Sequence, residues 1–415
     1  MSDTPPHRVT YRAVLGVREF RALLLSQGLS VLGDQVTRIA LALLVFERSG
    51  SALAASATYA CSFLTWIVGG PVLSALADRY ERRRVMVTCD LLRVPLVVAL
   101  ALADLPLWAV FALLVPIAVL EPPFDSARSA LLADVLTGDV YVAGNSLMTT
   151  MVQAGQVLGF LAGGALVSLL SYHGALLVDA GSFLVSAVVL LLLVRARPLD
   201  RADATASSLL TDVREGFFLV ARNARLRWLL GQALLSCAVV IAPEGLAVAV
   251  AADLGGSHFT AGLLTASLPL GFLAGSVLLL RVPQERRLGL LPALTVLACL
   301  PLLLTPLLSA VPLVVLLWVL AGAGNALQIV ASAEYVRSAP AEARGRAVGL
   351  AGTALMGVQG IVLVLAGGAA DVFGARPAVA LAGALGLLLL VPLTLGAPRE
   401  RSLVQADLAG SRGTT

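Results

Sequence analysis

A wholly α-helical membrane protein, with twelve spans in two related bundles of six, is the fold that this sequence predicts. Three observations predict it. First, 59% of the 415 residues are hydrophobic and only 13% are charged. A soluble protein of this size carries about twice that charge, and a soluble core cannot hide the apolar surplus. Second, the apolar residues fall into about twelve runs of the 20 or so residues that a helix needs to cross a bilayer. Third, the longest polar interruption divides these runs into two sets of six.

In order, the runs cover 22–46, 53–76, 85–103, 107–124, 144–170, 175–194, 228–250, 260–281, 289–308, 312–333, 347–369 and 377–396. They lack the short alternating segments of a barrel. Arginine placement orients them. One set of loops holds Arg8, Arg12, Arg18, Arg21, Arg79, Arg82–Arg84, seven arginines between 195 and 227, Arg281, Arg286, Arg287, Arg337, Arg344, Arg346 and the tail. The opposite loops hold little beyond Arg48 and Arg376. Basic loops stay inside, so both termini are expected to be cytoplasmic.

Four segments follow: a six-helix bundle over 1–194, a linker over 195–227, a second bundle over 228–396 and a disordered cytoplasmic tail over 397–415. In the linker, "LLTDVREGFFLVARNARLR" alternates apolar and basic residues at helical spacing, the pattern of an amphipathic helix on the membrane surface. Sliding one half by about 206 residues brings Gln27 beside Gln232 and "DRYERRR" onto "QERRLGL". Related halves around a linker point to a transporter whose site lies between them at mid-membrane depth.

Some chemistries are excluded. No G-x-x-x-x-G-K-[ST] is present, so ATP is not the fuel. No nucleophile–base pair marks an enzyme, and no cofactor or metal site is expected. Cys61, Cys89, Cys237 and Cys299 sit in apolar segments without ligand spacing and read as small hydrophobes. The arginines form no single patch, so nucleic acid is not a partner. The expected partners are the lipid bilayer, a small-molecule substrate and protons. No signal peptide is visible, and the first span is expected to act as an uncleaved anchor.

Charges inside the apolar runs carry the functional signal, because each costs about 2.5–3.5 kcal/mol at mid-membrane. In "VLGDQVTRIAL", Asp34 and Arg38 are four residues apart, so they share a helix face. Asp34 is roughly 18 Å into its span at 1.5 Å per residue. In "IAPEGLA", Glu244 lies beside Pro243 and Gly245 at an expected kink. The 206-residue offset, approximate as it is, makes Glu244 the symmetry mate of Arg38. A permanent Asp34–Arg38 pair is the simpler reading of the first two residues.

Other charges are shallower. Asp78 ends the second span beside Arg79 and Arg82, as a gate contact to an arginine or to a helix N-terminus would. Asp90 and Arg93 are expected to pair in the same gate. Glu121 is either a site carboxylate or an interfacial partner of Arg128. Asp179 is expected to pack or cap. Gln27, Tyr59, Trp66, Asn145, Gln153, Gln232, Asn325, Gln328 and Gln359 are polar or amphipathic residues in or beside the spans. They are cavity candidates, and bonding between helices accounts for them equally well. Gly155, Gly159 and Gly163 recur every four residues, a spacing that lets helices approach closely.

The loop "SALADRYERRRVM" resembles the signature loop of the major facilitator superfamily, G-x-L-a-D-r-x-G-r-r/k. Leu76, Ala77, Asp78, Arg79 and Arg82 fit, while Ser74 and Glu81 stand where that pattern has glycines. "LLLSQGLSVLGDQVTRIAL", "LLVDAGSFLVSA", "DVREGFFLVARNARLRWLL" and "PAEARGRAVGL" resemble the macrolide-efflux-like branch of the drug:proton antiporters. The glycine-rich fifth span is similar to the antiporter signature but lacks its proline.

The resemblance implies the major facilitator fold, with the first and seventh spans facing one another across the cavity. Asp34, Arg38 and Glu244 then form a candidate proton-coupling set, in which Arg38 changes carboxylate partners as the halves move. The implied function is export of amphipathic organic compounds in exchange for protons, by a monomer in the plasma membrane of a prokaryote. A dedicated exporter of one endogenous product, such as a siderophore, is the alternative. A non-transporting receptor fits worst, because the loops are short.

Overall fold

The computed structural model describes residues 11–102, 104–197, 209–340 and 343–395. Of these, the side chains of 11, 67–78, 209–214, 391–392 and 394–395 lie outside the description. A short α1 (Tyr11–Gly16) precedes the spans. The first half contains α2 (Arg18–Ser49), α3 (Ala52–Arg79), α4 (Arg82–Leu102), the pair α5 (Leu107–Val119) and α6 (Glu121–Val135), and α7 (Gly138–Leu193). A separate helix, α8 (Leu209–Arg222), comes next. The second half contains α9 (Ala224–Asp253), α10 (His258–Leu280), α11 (Gln284–Arg287) leading into α12 (Leu291–Leu303), the pair α13 (Val311–Asn325) and α14 (Leu327–Ser338), α15 (Arg344–Phe373) and α16 (Ala375–Leu395).

These helices make twelve crossings, six in each half. Among the described residues, nine helical stretches are long and apolar enough to span a membrane by themselves. The 56-residue α7 supplies two crossings, because Ser171 adopts φ 66° and turns the chain back. A bulky residue seldom takes that backbone conformation, and it marks the turn. α3 and α16 complete the set. The face that carries the start of α2 and helix α8 is called here the near face, and the other the far face.

The breaks have local causes. The fourth span is interrupted at Leu120, because Pro122 and Pro123 lack the N–H groups that would continue the preceding helix. It then runs on to Val135, well beyond the 124 expected, because the polar "DSARSALLADV" remains helical at the near face. α2 ends at Gly50, whose left-handed φ of 67° lets its N–H reach the Phe46 carbonyl at 2.8 Å. Asn223 caps α9, its Oδ1 accepting from the N–H groups of Arg225 and Leu226 at 3.0 and 3.1 Å. Pro243 lies inside an unbroken α9.

Glycines set the closest approaches. A Cβ on Gly155, Gly159 or Gly163 would meet Val31, Gln35 or Ile39 of α2 at 3.0, 2.7 and 2.2 Å. The four-residue stripe therefore seats α7 on α2, inside one half. Between halves, α3 packs on α15 and α7 on α10. Gly164 and Gly262 meet backbone to backbone in the second contact, where a Cβ on Gly262 would lie 2.5 Å from the Phe160 carbonyl oxygen.

A buried polar knot ties α2 to the second arm of α7. Thr37 Oγ1 donates to Asp179 Oδ2 at 2.5 Å and Ser182 Oγ to Asp179 Oδ1 at 3.2 Å. A Cβ at Gly33 would sit 2.0 Å from Asp179 Oδ1 and 2.3 Å from Ser182 Oγ. Gly33→Ala is therefore expected to lower stability by about 1–3 kcal/mol through overpacking. Thermal unfolding in detergent checks it, and an unchanged melting temperature would show that the knot can yield.

Candidate functional site: a charged cavity between the halves

A cavity of about 480 Å³ lies between the halves and is lined from both. Its volume is within the usual range for small-molecule sites. α2 contributes Gln27, Asp34 and Arg38, α3 Trp66, α4 Arg93, α6 Glu121 and Asp125, and α7 Gln153 and Gln156. From the second half come Glu244 on α9, Phe272 on α10, Asn325 and Gln328 around α13 and α14, and Met356 and Gln359 on α15. Its lining mixes six charged and seven amide side chains with aromatic and aliphatic ones.

The charges are arranged differently from the local expectation. Arg38 Nη2 bonds to Glu121 Oε1 at 3.4 Å. Asp34, one helical turn away, forms no ion pair within 4.0 Å among the described residues. An i, i+4 spacing permits a pair, but Glu121 on α6 competes for the same guanidinium. Glu121, Asp34 and Glu244 all line the cavity with Arg38, Glu244 from the other half. The Arg38 guanidinium also lies 5.8 Å from the centroid of the Phe63 ring.

Several expected contacts are replaced. Arg128 pairs with Asp125 at 3.2 Å and not with Glu121, because those two share a turn of α6. Asp90 accepts from Ser186 Oγ at 2.6 Å rather than pairing with Arg93. Arg93 is buried, lines the cavity and stacks between Phe124 and Phe183 at 5.7 and 5.1 Å. It shares the cavity lining with Asp34. Arg93 is thus a wall of the cavity rather than a gate pair.

At the near face Arg82 pairs with Asp134 and Arg79 is exposed. The side chain of Asp78 lies outside the described residues. Glu334 binds Arg225 and, at 3.7 Å, Arg337. Of the polar candidates, Gln27, Trp66, Gln153, Asn325, Gln328 and Gln359 reach the cavity. Three do not. Tyr59 is buried in the wall behind it. Asn145 is exposed at the near end of α7. Gln232 accepts from Thr295 Oγ1 at 3.0 Å, a bond between α9 and α12.

The far end of the cavity is closed by bonds between the halves. Ser56 Oγ donates to the Gly245 carbonyl at 3.0 Å, one residue from Glu244. His258 Nε2 bonds Glu47 Oε1 at 2.7 Å. Asp371 of α15 binds the start of α3. Among the described residues, the ion pairs at the near face stay within a half or join α8 to α15 through Glu215 and Arg346. The cavity therefore lies on the near side of a sealed far face. No group of His, Cys, Asp or Glu among the described residues could hold a metal.

Comparison with known proteins agrees with this architecture. The chain is 29% identical over 406 residues to the multidrug efflux pump Tap of Mycolicibacterium fortuitum, covering 91% of this chain and 94% of that one. It is also 29% identical over 203 residues to YfiS of Bacillus subtilis (strain 168), described as an uncharacterized MFS-type transporter. That match spans 48% of each protein. Macrolide efflux protein A of Streptococcus pyogenes is 27% identical over 100 residues, 23% of this chain and 25% of that one.

Among solved structures, the nucleoside transporter NupG matches with a TM-score of 0.73 at 13% identity, covering 92% of this chain and 99% of that one. A POT family transporter in complex with a thioalcohol-conjugated peptide matches with a TM-score of 0.76 at 13% identity, over 92% and 96%. These two likenesses bear on the fold alone. The family model for the Major Facilitator Superfamily matches residues 23–249 and 244–412, which is nearly the whole chain. With twelve helical crossings in two halves around a shared cavity, this chain is a membrane transporter of the Major Facilitator Superfamily.

Proposed function

We propose that this transporter exports amphipathic organic compounds, cationic ones in particular, in exchange for protons. The observation that carries the reading is the charge balance around Arg38. With Asp125 neutralised by Arg128, the cavity wall holds three carboxylates, Asp34, Glu121 and Glu244, against two guanidiniums, Arg38 and Arg93. Uncompensated charge at mid-membrane depth is costly. The lining groups reach neutrality by taking up one proton or one cationic ligand, while Asp90 and Asp179 lie behind the wall, held by Ser186 and by Thr37 and Ser182. Two species that satisfy the same deficit displace one another, and that is antiport.

The mechanism follows from Arg38. It holds Glu121 at 3.4 Å in the present state, with Asp34 and Glu244 lining the same cavity. Rocking of the halves changes which carboxylate it neutralises, and the one released accepts the proton. The functional units are then the bundles 1–194 and 228–396, joined by the linker 195–227, with the tail 397–415 outside them. The near face is cytoplasmic, as are both termini, and the protein works as a monomer in a prokaryotic plasma membrane. Export, rather than uptake, is supported by likeness to proteins named as efflux pumps.

Proteoliposomes with an imposed pH gradient test this with a fluorescent lipophilic cation. Gradient-driven accumulation is expected, abolished by a protonophore and reduced about tenfold or more in Asp34→Asn or Glu244→Gln, as when a coupling charge is lost. Equal accumulation without a gradient, or in both variants, would exclude the mechanism.

A further inference from the structure

Asp371 was not a candidate from sequence, yet it makes the densest set of bonds between the halves. It lies two residues before the end of α15. Its Oδ2 accepts from Ser51 Oγ at 2.6 Å, and its Oδ1 from the backbone N–H groups of Ala52 at 2.6 Å and Leu53 at 3.4 Å. Ser51 Oγ in turn accepts from the Ala54 N–H at 3.1 Å.

Ala52, Leu53 and Ala54 open α3, so their N–H groups have no partner within the helix. They also form its positive end. A helix of one half is thus capped by a carboxylate of the other. Gly367, one turn back on α15, admits this approach. A Cβ there would lie 2.7 Å from Leu53 Cα and 3.0 Å from Ser56.

We propose that Asp371 is a far-face latch, which favours the far-closed state and releases when that face opens. Release is feasible because Asp371 is exposed at the rim. Its carboxylate passes into water, and Ser51 remains to cap α3. A contact made in one state and absent from the other shifts the equilibrium by its own strength. The inference rests on the reading that the two halves alternate.

Spin labels introduced as Pro106→Cys and Ser309→Cys, in a protein lacking the four native cysteines, report the far-face distance by pulsed electron resonance. Asp371→Ala is expected to raise the far-open population roughly five- to tenfold, the effect of losing a charge-assisted cap. Asp371→Asn keeps an acceptor oxygen and falls between Asp371→Ala and the parent. Ser51→Ala shifts the same way but less, and covers the case in which Asp371→Ala does not fold.

Distances in all three variants identical to a parent that itself responds to the lipophilic cation would overturn the latch and leave alternation standing. A parent that holds one distance under every cation and pH condition would overturn alternation, and the latch with it.

Discussion

Arg38→Met is expected to cost the transporter roughly a hundredfold or more in transport rate. The substitution keeps the apolar stem and removes the charge. Glu121 loses its partner, and the cavity that Glu244 lines loses one of its two guanidiniums. The pair is half-buried, so its loss belongs at the low end of the about 3–5 kcal/mol that breaking a buried pair costs, and each 1.4 kcal/mol is roughly a factor of ten in rate. Arg38→Lys keeps the charge without the planar fork, so intermediate activity is expected. Initial rates of gradient-driven uptake, normalised to folded protein, measure both. Full activity in Arg38→Met would mean that the cation is dispensable and that the charge-balance argument fails.

Gly262→Leu carries the second large effect. Gly262 and Gly164 bring α10 and α7 into backbone contact where the far face closes. Any side chain there meets the Phe160 carbonyl oxygen and the Gly164 backbone, which cannot rotate away as a side chain would. Overpacking costs about 1–3 kcal/mol where neighbours can adjust, and here the neighbours are backbone atoms of the other half. The far-closed state is expected to fall roughly a hundredfold in population, with each half intact. The far-face spin-label distance should lengthen, and export should fall with it. Gly155→Ala is the control, since its Cβ meets only the Val31 side chain, at 3.0 Å and inside one half. A short far-face distance in Gly262→Leu would show that α10 repacks and that this glycine does not set closure.

The helices were legible because apolar runs of bilayer length leave little alternative. Their ends were less so. The fourth span continues past 124 because a polar helix is stable at the near face, where hydropathy has no say. The turn between the fifth and sixth spans is a single distorted residue, Ser171, rather than a polar loop.

Asp34, Arg38 and Glu244 stood out because charge in an apolar run is conspicuous, and all three line the cavity. Their pairing was not legible. Whether Arg38 meets Asp34 or Glu121 depends on how α6 is rotated against α2, which no spacing along one helix encodes. Asp371 was missed for the opposite reason. A carboxylate near a span end is cheap, and its meaning comes from the start of α3, some 320 residues away in sequence. Arg93 was assigned to a gate because it follows Asp90 by one turn, whereas its aromatic neighbours draw it to the cavity.

Proton counting on the purified protein tests the central claim most directly. The claim is that a proton and a cationic ligand satisfy the same charge deficit around Arg38. A weakly buffered detergent solution with a pH-sensitive dye, titrated with the lipophilic cation, reads protons released per ligand bound. Release of about one proton per cation bound is the predicted result, as required when two unit charges compensate one site in low dielectric, with a clear reduction in Glu244→Gln or Asp34→Asn. Saturable binding of the cation with no proton released would contradict it.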